Sequence, residues 1–474
     1  MIAVPRHCDV VVLGAGPAGL ATAWYAVRRG LTAIVLDRAA AVGGLAGSLI
    51  VDGQSVDLGS HRLHPSIRPD ILRDLGELAG LELQWRPRGG RIRLGGRWLA
   101  FPLNPTDLLR HAPPSFAAGV IGDLVRGAVR RGIDRVGRRP GATQVPPDSF
   151  AGQVRTRLGP TIARSFYEPY ARKLWAVDGQ DLSAELFDRR VGARSAGGII
   201  RRALRRGPAP GFWYPAGGFG TIGTAMAAAV ERGGGTIVTS TQVTSIGSGP
   251  DHPLVRLRDG QVIGARTVVS TIPSAGLLDL IDAPAQVRAA AAELTFRGAA
   301  LVYLTIPRDR YTRFDAHYFP EPSTCVSRLS EPKNYRTSSA DPTGRTVLCA
   351  ELPSTPGDDV WASDDDALIR RVGRELAEQG LPEPVPIGGR VVRRTHVYPV
   401  YRRGFEDRRR VVEGFDPGRD VAVLGRQALF AHDNTHHALQ MAKSVVECLS
   451  ADARIDRDRW SAVRRSFADH VVED

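Results

Sequence analysis

Gly14, Gly16 and Gly19 follow an apolar run, Val10 to Leu13, and open a helical pattern that includes Pro17 and Ala18. This spacing suits the binding of a dinucleotide pyrophosphate. The first glycine permits a tight strand-to-helix turn, the second lets phosphates approach the backbone, and the third lets helix and sheet pack closely. The phosphates then meet the positive end of the helix. A second apolar run, Thr32 to Leu36, ends in Asp37, followed by Arg38. A carboxylate 23 residues beyond Gly14 suits hydrogen bonds from a ribose hydroxyl. Gly43-Gly44-Leu45-Ala46 comes next, and paired glycines there let a loop fold back over the pyrophosphate. A free-standing nicotinamide domain usually lacks that loop, so the expected cofactor is FAD. No histidine or cysteine lies in an obvious attachment motif, so the FAD is expected to be non-covalent.

Histidine and arginine supply the remaining chemistry. His61 and His64 lie three residues apart, and His432, His436 and His437 cluster near the C-terminus. Imidazole titrates near neutral pH, which suits proton handling or anion binding. No ligand-spaced cysteine or carboxylate set accompanies these histidines, so no metal is expected. Arg328 sits in an alternating stretch, Cys325 to Leu329, that reads as a partly buried strand. A buried arginine needs a partner: an anionic substrate, the flavin edge, or Glu331 along the same strand.

Of the 63 basic residues only Lys173, Lys333 and Lys443 are lysine, and the net charge is +13. Arginine favours planar, bidentate recognition of phosphates and carboxylates, which points to an anionic small-molecule substrate. No nucleic-acid-binding motif accompanies the charge, so nucleic acid is not expected as a partner. The densest basic run, Arg126 to Arg139, follows an apolar segment from Phe116 to Val125. A helix lying on a membrane surface is one reading; a solvated helix face leading into the loop Gly141 to Pro147 is preferred. No apolar run approaches the length needed to span a bilayer, and Met1 to Asp9 holds no apolar core of a signal peptide. Cys8, Cys325, Cys349 and Cys448 are scattered, which fits a reducing cytoplasm.

The elements that position these residues come in separated pieces. A strand at Gln54 to Leu58 closes the first. The second begins near Phe212, where Tyr214-Pro215-Ala216-Gly217-Gly218-Phe219-Gly220 opens a helix ending near Gly233. Strands are expected at Thr236 to Val238, Val243 to Ile246, Leu254 to Leu257 and Thr267 to Thr271, with Val243 placed for backbone contact with adenine. The third piece carries Val421 to Leu424, Gly425-Arg426 and a helix from about Asn434, whose N-terminus suits negative charge at the flavin N1 and O2 edge. The expected fold is α/β: a doubly wound, Rossmann-type FAD-binding domain (1–60, 212–275 and 415–474) with an inserted mixed α/β substrate domain (61–211 and 276–414).

Together the glycine fingerprint, Asp37, Gly43-Gly44 and Gly425-Arg426 resemble flavoproteins of the amine oxidase and protoporphyrinogen oxidase group. The branch that contains UDP-galactopyranose mutase is more similar still. The strip Gly59-Ser60-His61-Arg62-Leu63-His64 is similar to its glycine, histidine, histidine strip beside the flavin, and Trp98 to Leu109 resembles its Phe-Pro-Leu-Asn segment. Tyr170, Lys173 and Trp175 resemble a tyrosine, lysine and tryptophan pattern, Arg328 to Lys333 an Arg-x-x-Glu-x-Lys strand, and Tyr398-Pro399 a turn near the active site. The resemblance implies that His61 and His64 line the flavin face and that Gly59, Ser60, His436 and His437 lie near the cofactor. It implies that Arg328 and Arg426 hold an anionic group or the flavin edge, that Trp175, Tyr170 and Tyr398 wall the pocket, and that His432 lies at the flavin edge.

The chain also departs from the mutase pattern. Phe430, His432 and Asp433 stand where the mutases carry tyrosines that hold a diphosphate, His436 stands at an acidic position, and an expected arginine matches Arg194 only with a shift. The expected reaction is therefore hydride transfer from a small anionic or carbohydrate-like substrate to flavin N5. A redox-neutral sugar isomerase is the alternative, and a flavin-binding protein without chemistry is a third reading.

Overall fold

The computed structural model describes residues 5–101, 105–134, 145–191, 211–418 and 420–472. Its first sheet is built around β1 (His7–Leu13), which runs parallel to β2 (Ala33–Leu36) on one side and to Val262–Ser270 on the other. Thr236–Val238 extends the parallel set beyond β2, and Val421–Val423 lies parallel beside Val262–Ser270. Val10, Val11 and Val12 are wholly buried, as expected of a parallel strand covered on both faces. One face is covered by α1 (Pro17–Arg28), packed between helices Thr221–Arg232 and Thr435–Glu447. On the other face Val11, Leu13, Ile34 and Leu36 cluster with Ile246, Val255 and Leu257 of an antiparallel hairpin, Val243–Ser248 and Pro253–Leu257, which continues the same sheet beside Val262–Ser270. This is the doubly wound, Rossmann-type arrangement expected from the fingerprint.

The second sheet has seven strands in the order Gly388–Pro399, Phe296–Ile306, Thr346–Ser354, Arg328–Ser330, Ala316–Tyr318, Gly90–Leu94 and Arg97–Phe101. All neighbours are antiparallel except Ala316–Tyr318 beside Gly90–Leu94. Thr346–Ser354 is buried along its whole length, because sheet neighbours flank it and helix Asp365–Glu378 packs below the same core.

Strand Thr236–Val238 falls where the sequence predicts it, while Val262–Ser270 starts five residues earlier than Thr267. Two connections cross between the expected pieces. Leu83–Pro87 pairs with Gly211–Pro215, and the C-terminal segment 467–472 reaches back to helix Glu185–Arg190. The apolar segment from Phe116 belongs to helix Pro114–Asp134. Among the described residues, no helix is long and apolar enough to cross a membrane.

Candidate functional site

The turn from β1 into α1 is a cradle that side chains would fill. Gly14 has φ +101°, and a Cβ on Gly19 would lie 1.8 Å from the Gly14 carbonyl oxygen. Only glycine permits that approach. Gly16 is different: a Cβ there would meet only the Gly44 Cα, at 4.0 Å. The open side of Gly16 is thus backbone without protein cover, at the N-terminus of α1 where Pro17 is pre-set for the helix and Ala18 is buried. The Gly43 N–H donates to the Ala15 carbonyl at 2.8 Å, so the Gly43-Gly44-Leu45-Ala46 loop is laced to the turn. Asp37 accepts from the Ala15 N–H at 2.6 Å and the Ala39 N–H at 2.7 Å, which fixes its carboxylate at the end of β2. Arg38 beside it is exposed. The Thr241 N–H donates to the Asp37 carbonyl at 3.0 Å, which brings the start of the Val243 strand to the same end of the sheet. These residues fit a dinucleotide from pyrophosphate to ribose.

Beyond the cradle, one carboxylate that the sequence reading missed organises the wall. Glu351 accepts from Arg328 through two hydrogen bonds of 2.8 Å, from the Ser60 N–H at 2.7 Å and from the Tyr398 hydroxyl at 3.3 Å. The expected partner Glu331 points elsewhere and accepts from the Tyr311 and Thr312 N–H groups. The reason is pleat: Arg328 and Glu351 are register partners on neighbouring strands, whereas Glu331 lies beyond the end of its strand. Burial works against the Arg328 charge, but Glu351 together with Tyr318 and Tyr398 outweighs it and raises the pKa. Lys333 is likewise structural, donating to Asp309 and to the Pro342 and Arg345 carbonyls.

Gly59, with φ +98°, turns the strip above Glu351. His61 follows, stacked on Phe219 with ring centroids 5.2 Å apart, and its Nδ1 is buried without a partner. Burial pushes the His61 pKa down, so the ring is neutral near pH 7. His64 lies farther out, bonded to the Ser66 hydroxyl at 2.8 Å, and its ring is 6.2 Å from that of His436.

A buried aromatic and charged cluster forms where helix Glu168–Trp175 meets the segment after Arg426. Trp175 is buried and His432 is wholly buried, and their rings meet edge to face at 5.9 Å. The Trp175 indole N–H and both His432 ring nitrogens have no hydrogen-bond partner. The Arg190 guanidinium lies over the Trp175 ring, 5.6 Å from its centroid. Burial, then Arg190 and Arg426, hold the His432 pKa well below its usual value. Arg426 spends two donors on the Asp433 carbonyl at 3.1 Å and the Val397 carbonyl at 2.9 Å. Tyr170 stacks on Phe166, with centroids 5.6 Å apart. Burial raises the Tyr398 pKa to about 12, assisted by the Glu351 charge. Arg194 lies outside the described residues. Among the described residues, Arg190 joins Arg426 beside His432; the sequence reading did not single it out, and its place at the end of an acidic-to-basic helix, Glu185–Arg190, was the available signal.

Helix Thr435–Glu447 begins with a reciprocal cap between Asn434 and His437, and the Asn434 N–H donates to His437 Nδ1 at 3.1 Å. His436 is buried, and burial together with His437 and His64 pushes its pKa down to about 3. Asp433, His437 and His470 bring a carboxylate oxygen and two imidazole nitrogens within 4.8 Å of one another. The two rings are parallel to within 10°, with centroids 4.2 Å apart. In-plane lone pairs on parallel rings do not converge on one ion, so this group reads as a hydrogen-bonded cluster, not a ligand set.

Residues 17–412 match the family of flavin containing amine oxidoreductases, and the chain belongs to that family. Membership makes it a flavoenzyme type with a small-molecule substrate. A relative, coproporphyrinogen III oxidase from Propionibacterium freudenreichii subsp. freudenreichii, is 26% identical over 462 residues, covering 86% of this chain and 84% of that protein. Putrescine oxidase from Kocuria rosea is 43% identical over 82 residues, 17% of either chain. Among solved structures, reduced UDP-galactopyranose mutase shares the fold with a TM-score of 0.77 at 20% identity, covering 93% of each chain.

Proposed function

We propose that this chain binds FAD non-covalently along Gly14 to Gly19, Asp37, Gly43 to Ala46 and Gly425, and oxidises a small anionic or carbohydrate-like substrate. The observation that carries the anionic reading is the set of unpartnered polar atoms on Trp175 and His432, with Arg190 and Arg426 close to them. Buried polar atoms are ordinarily paired, and leaving them unpaired costs stability that a bound ligand restores. Two guanidinium groups select negative charge, and the Trp175 N–H adds a directional donor. His432 is kept neutral by burial and the two arginines, so it offers one acceptor and one donor nitrogen. Glu351 holds Arg328 and Tyr398 in fixed positions nearby. Bound FAD supplies the acceptor for a substrate hydride, with oxygen or another electron acceptor restoring it.

The test is anaerobic. Sugar nucleotides, phosphorylated sugars and cyclic amines are each mixed with the oxidised enzyme in a single turnover. Bleaching of the flavin absorbance by one class supports oxidation. Turnover that begins only after chemical reduction, with no electrons consumed, replaces this reading with a redox-neutral sugar isomerisation.

A further inference from the structure

We infer that the C-terminal segment 467–472 positions Arg190 beside Trp175 and His432, by gripping Arg189 through its backbone and by fastening itself to Asp433 through His470. The inference rests on the anion-binding reading of Arg190 given above. Helix Glu185–Arg190 is short, with little helical hydrogen bonding of its own to hold it. Arg189 is 7% exposed. It donates from one guanidinium nitrogen to the Phe467 carbonyl at 3.2 Å and the His470 carbonyl at 2.9 Å. Its own carbonyl accepts from the Val472 N–H at 2.8 Å. Its Nε donates to Glu185 at 3.3 Å, and Glu185 is held from the other side by two 2.8 Å hydrogen bonds from Arg409.

The far side of the segment is anchored beside helix Thr435–Glu447. Phe467 is buried against Trp460, with ring centroids 5.8 Å apart. His470 stacks on His437 and its Nδ1 donates to Asp433 at 3.1 Å. Asp433 directly follows His432, and Arg189 directly precedes Arg190. One strap therefore ties together the two chain segments that supply the cluster's charge and its imidazole. Among the described residues Arg190 has no ion pair, so its place over Trp175 depends on the backbone that Arg189 fixes. His470 and Arg189 are thus positioning residues. A displacement of about 1 Å in such a support can cost on the order of a hundredfold in rate.

The experiment titrates the FAD-loaded full chain with UDP and with inorganic pyrophosphate by calorimetry. The variants are Arg190→Ala, His470→Ala, His470→Asn and a chain ending at His470, which lacks the Val472 donor but keeps the imidazole. Arg190→Ala is expected to weaken binding at least about tenfold. His470→Ala should weaken it severalfold at unchanged flavin content and visible spectrum. His470→Asn, whose amide can still donate to Asp433, should restore most of the affinity, and the shortened chain should fall between. This rescue separates positioning from general loosening of the fold. If His470→Ala loses flavin or fails to fold, the shortened chain decides alone. Wild-type affinity in both His470→Ala and the shortened chain overturns the strap and leaves the anion reading standing. Wild-type affinity in Arg190→Ala overturns Arg190's role and the strap together. Wild-type protein that binds neither probe removes the anion reading, and the strap's purpose with it.

Discussion

Arg328 and Glu351 face each other across adjacent antiparallel strands and share two hydrogen bonds of 2.8 Å. The Glu351 side chain is 4% exposed and that of Arg328 19%, so each charge relies on the other. Removing one member of such a pair leaves a buried charge uncompensated, at a cost on the order of 3 kcal/mol. Glu351→Gln is therefore expected to lower the urea midpoint markedly and to release Ser60 and Tyr398 as well. Arg328→Lys keeps the charge but loses the fork, with a smaller loss of about 1.5 to 3 kcal/mol. Replacing both residues with leucine should recover much of the stability of the single variants while leaving activity impaired. Unfolding curves of the three variants check these expectations, and Arg328→Leu and Glu351→Leu alone complete a cycle with the double leucine variant. A Glu351→Gln protein that unfolds like the wild type would contradict the pair's structural role.

Gly16 and Gly19 should respond differently to substitution, although only two residues separate them. A Cβ on Gly19 collides with the Gly14 carbonyl at 1.8 Å, whereas one on Gly16 finds only Gly44 Cα at 4.0 Å. Gly19→Ala is expected to destabilise the protein with or without cofactor. Gly16→Val should yield a folded, colourless protein, because the added side chain occupies space that only the pyrophosphate uses. Circular dichroism and the absorbance ratio at 450 to 280 nm check both. A yellow Gly16→Val protein with full flavin content would remove Gly16 from the cradle.

The contrast between these sites shows what was legible in the sequence. The cradle could be read because its chemistry is local: glycines, acid and strand lie within Gly14 to Ala46, and their spacing carries the geometry. Glu351 could not be linked to Arg328, because that link requires knowing that Thr346–Ser354 pairs with Arg328–Ser330 in a given register. A signal existed nonetheless, since Glu351 is the one charged residue in a nine-residue buried strand. The same limit applied to Arg190, whose place over Trp175 depends on a helix held by the C-terminal segment. His470 lay beyond any motif, and its meeting with Asp433 is a product of the fold alone.

Acid should unfold this protein through its histidines. Burial pushes His436 down to about 3, with His437 and His64 adding to it, and burial followed by Arg91 pushes His317 down to about 4. Unfolding restores both toward about 6.5. Between those limits the unfolded chain binds more protons than the native one, so stability rises with pH and is lost as pH falls below about 6.5. Each such group contributes a slope of up to about 1.4 kcal/mol per pH unit. His317 sits edge-on between Trp98 and Phe314, so His317→Phe should fit the space and flatten the slope by about one proton. Urea unfolding at intervals from pH 4.5 to 8 measures it. An unchanged slope in the variant would show that His317 is protonated to the same extent in both states.

Substitution of His432 should show an opposition between stability and activity. His432 is wholly buried between Trp175 and Tyr401, with ring centroids 5.9 and 4.8 Å away, and both its nitrogens lack partners. Phenylalanine keeps a flat ring in the same slot and removes two unpaired polar atoms, each worth about 1 to 3 kcal/mol when left unsatisfied. His432→Phe is therefore expected to raise the urea midpoint of the substrate-free enzyme. It should also lose on the order of a hundredfold in kcat/KM, because the donor and acceptor proposed to meet the substrate are gone. His432→Asn, which keeps one donor and one acceptor, should retain more activity and gain no stability. Unfolding curves and steady-state kinetics on the three proteins separate the outcomes. A phenylalanine variant that is both less stable and fully active would assign the imidazole nitrogens to the scaffold, bonded to internal water, and not to the substrate.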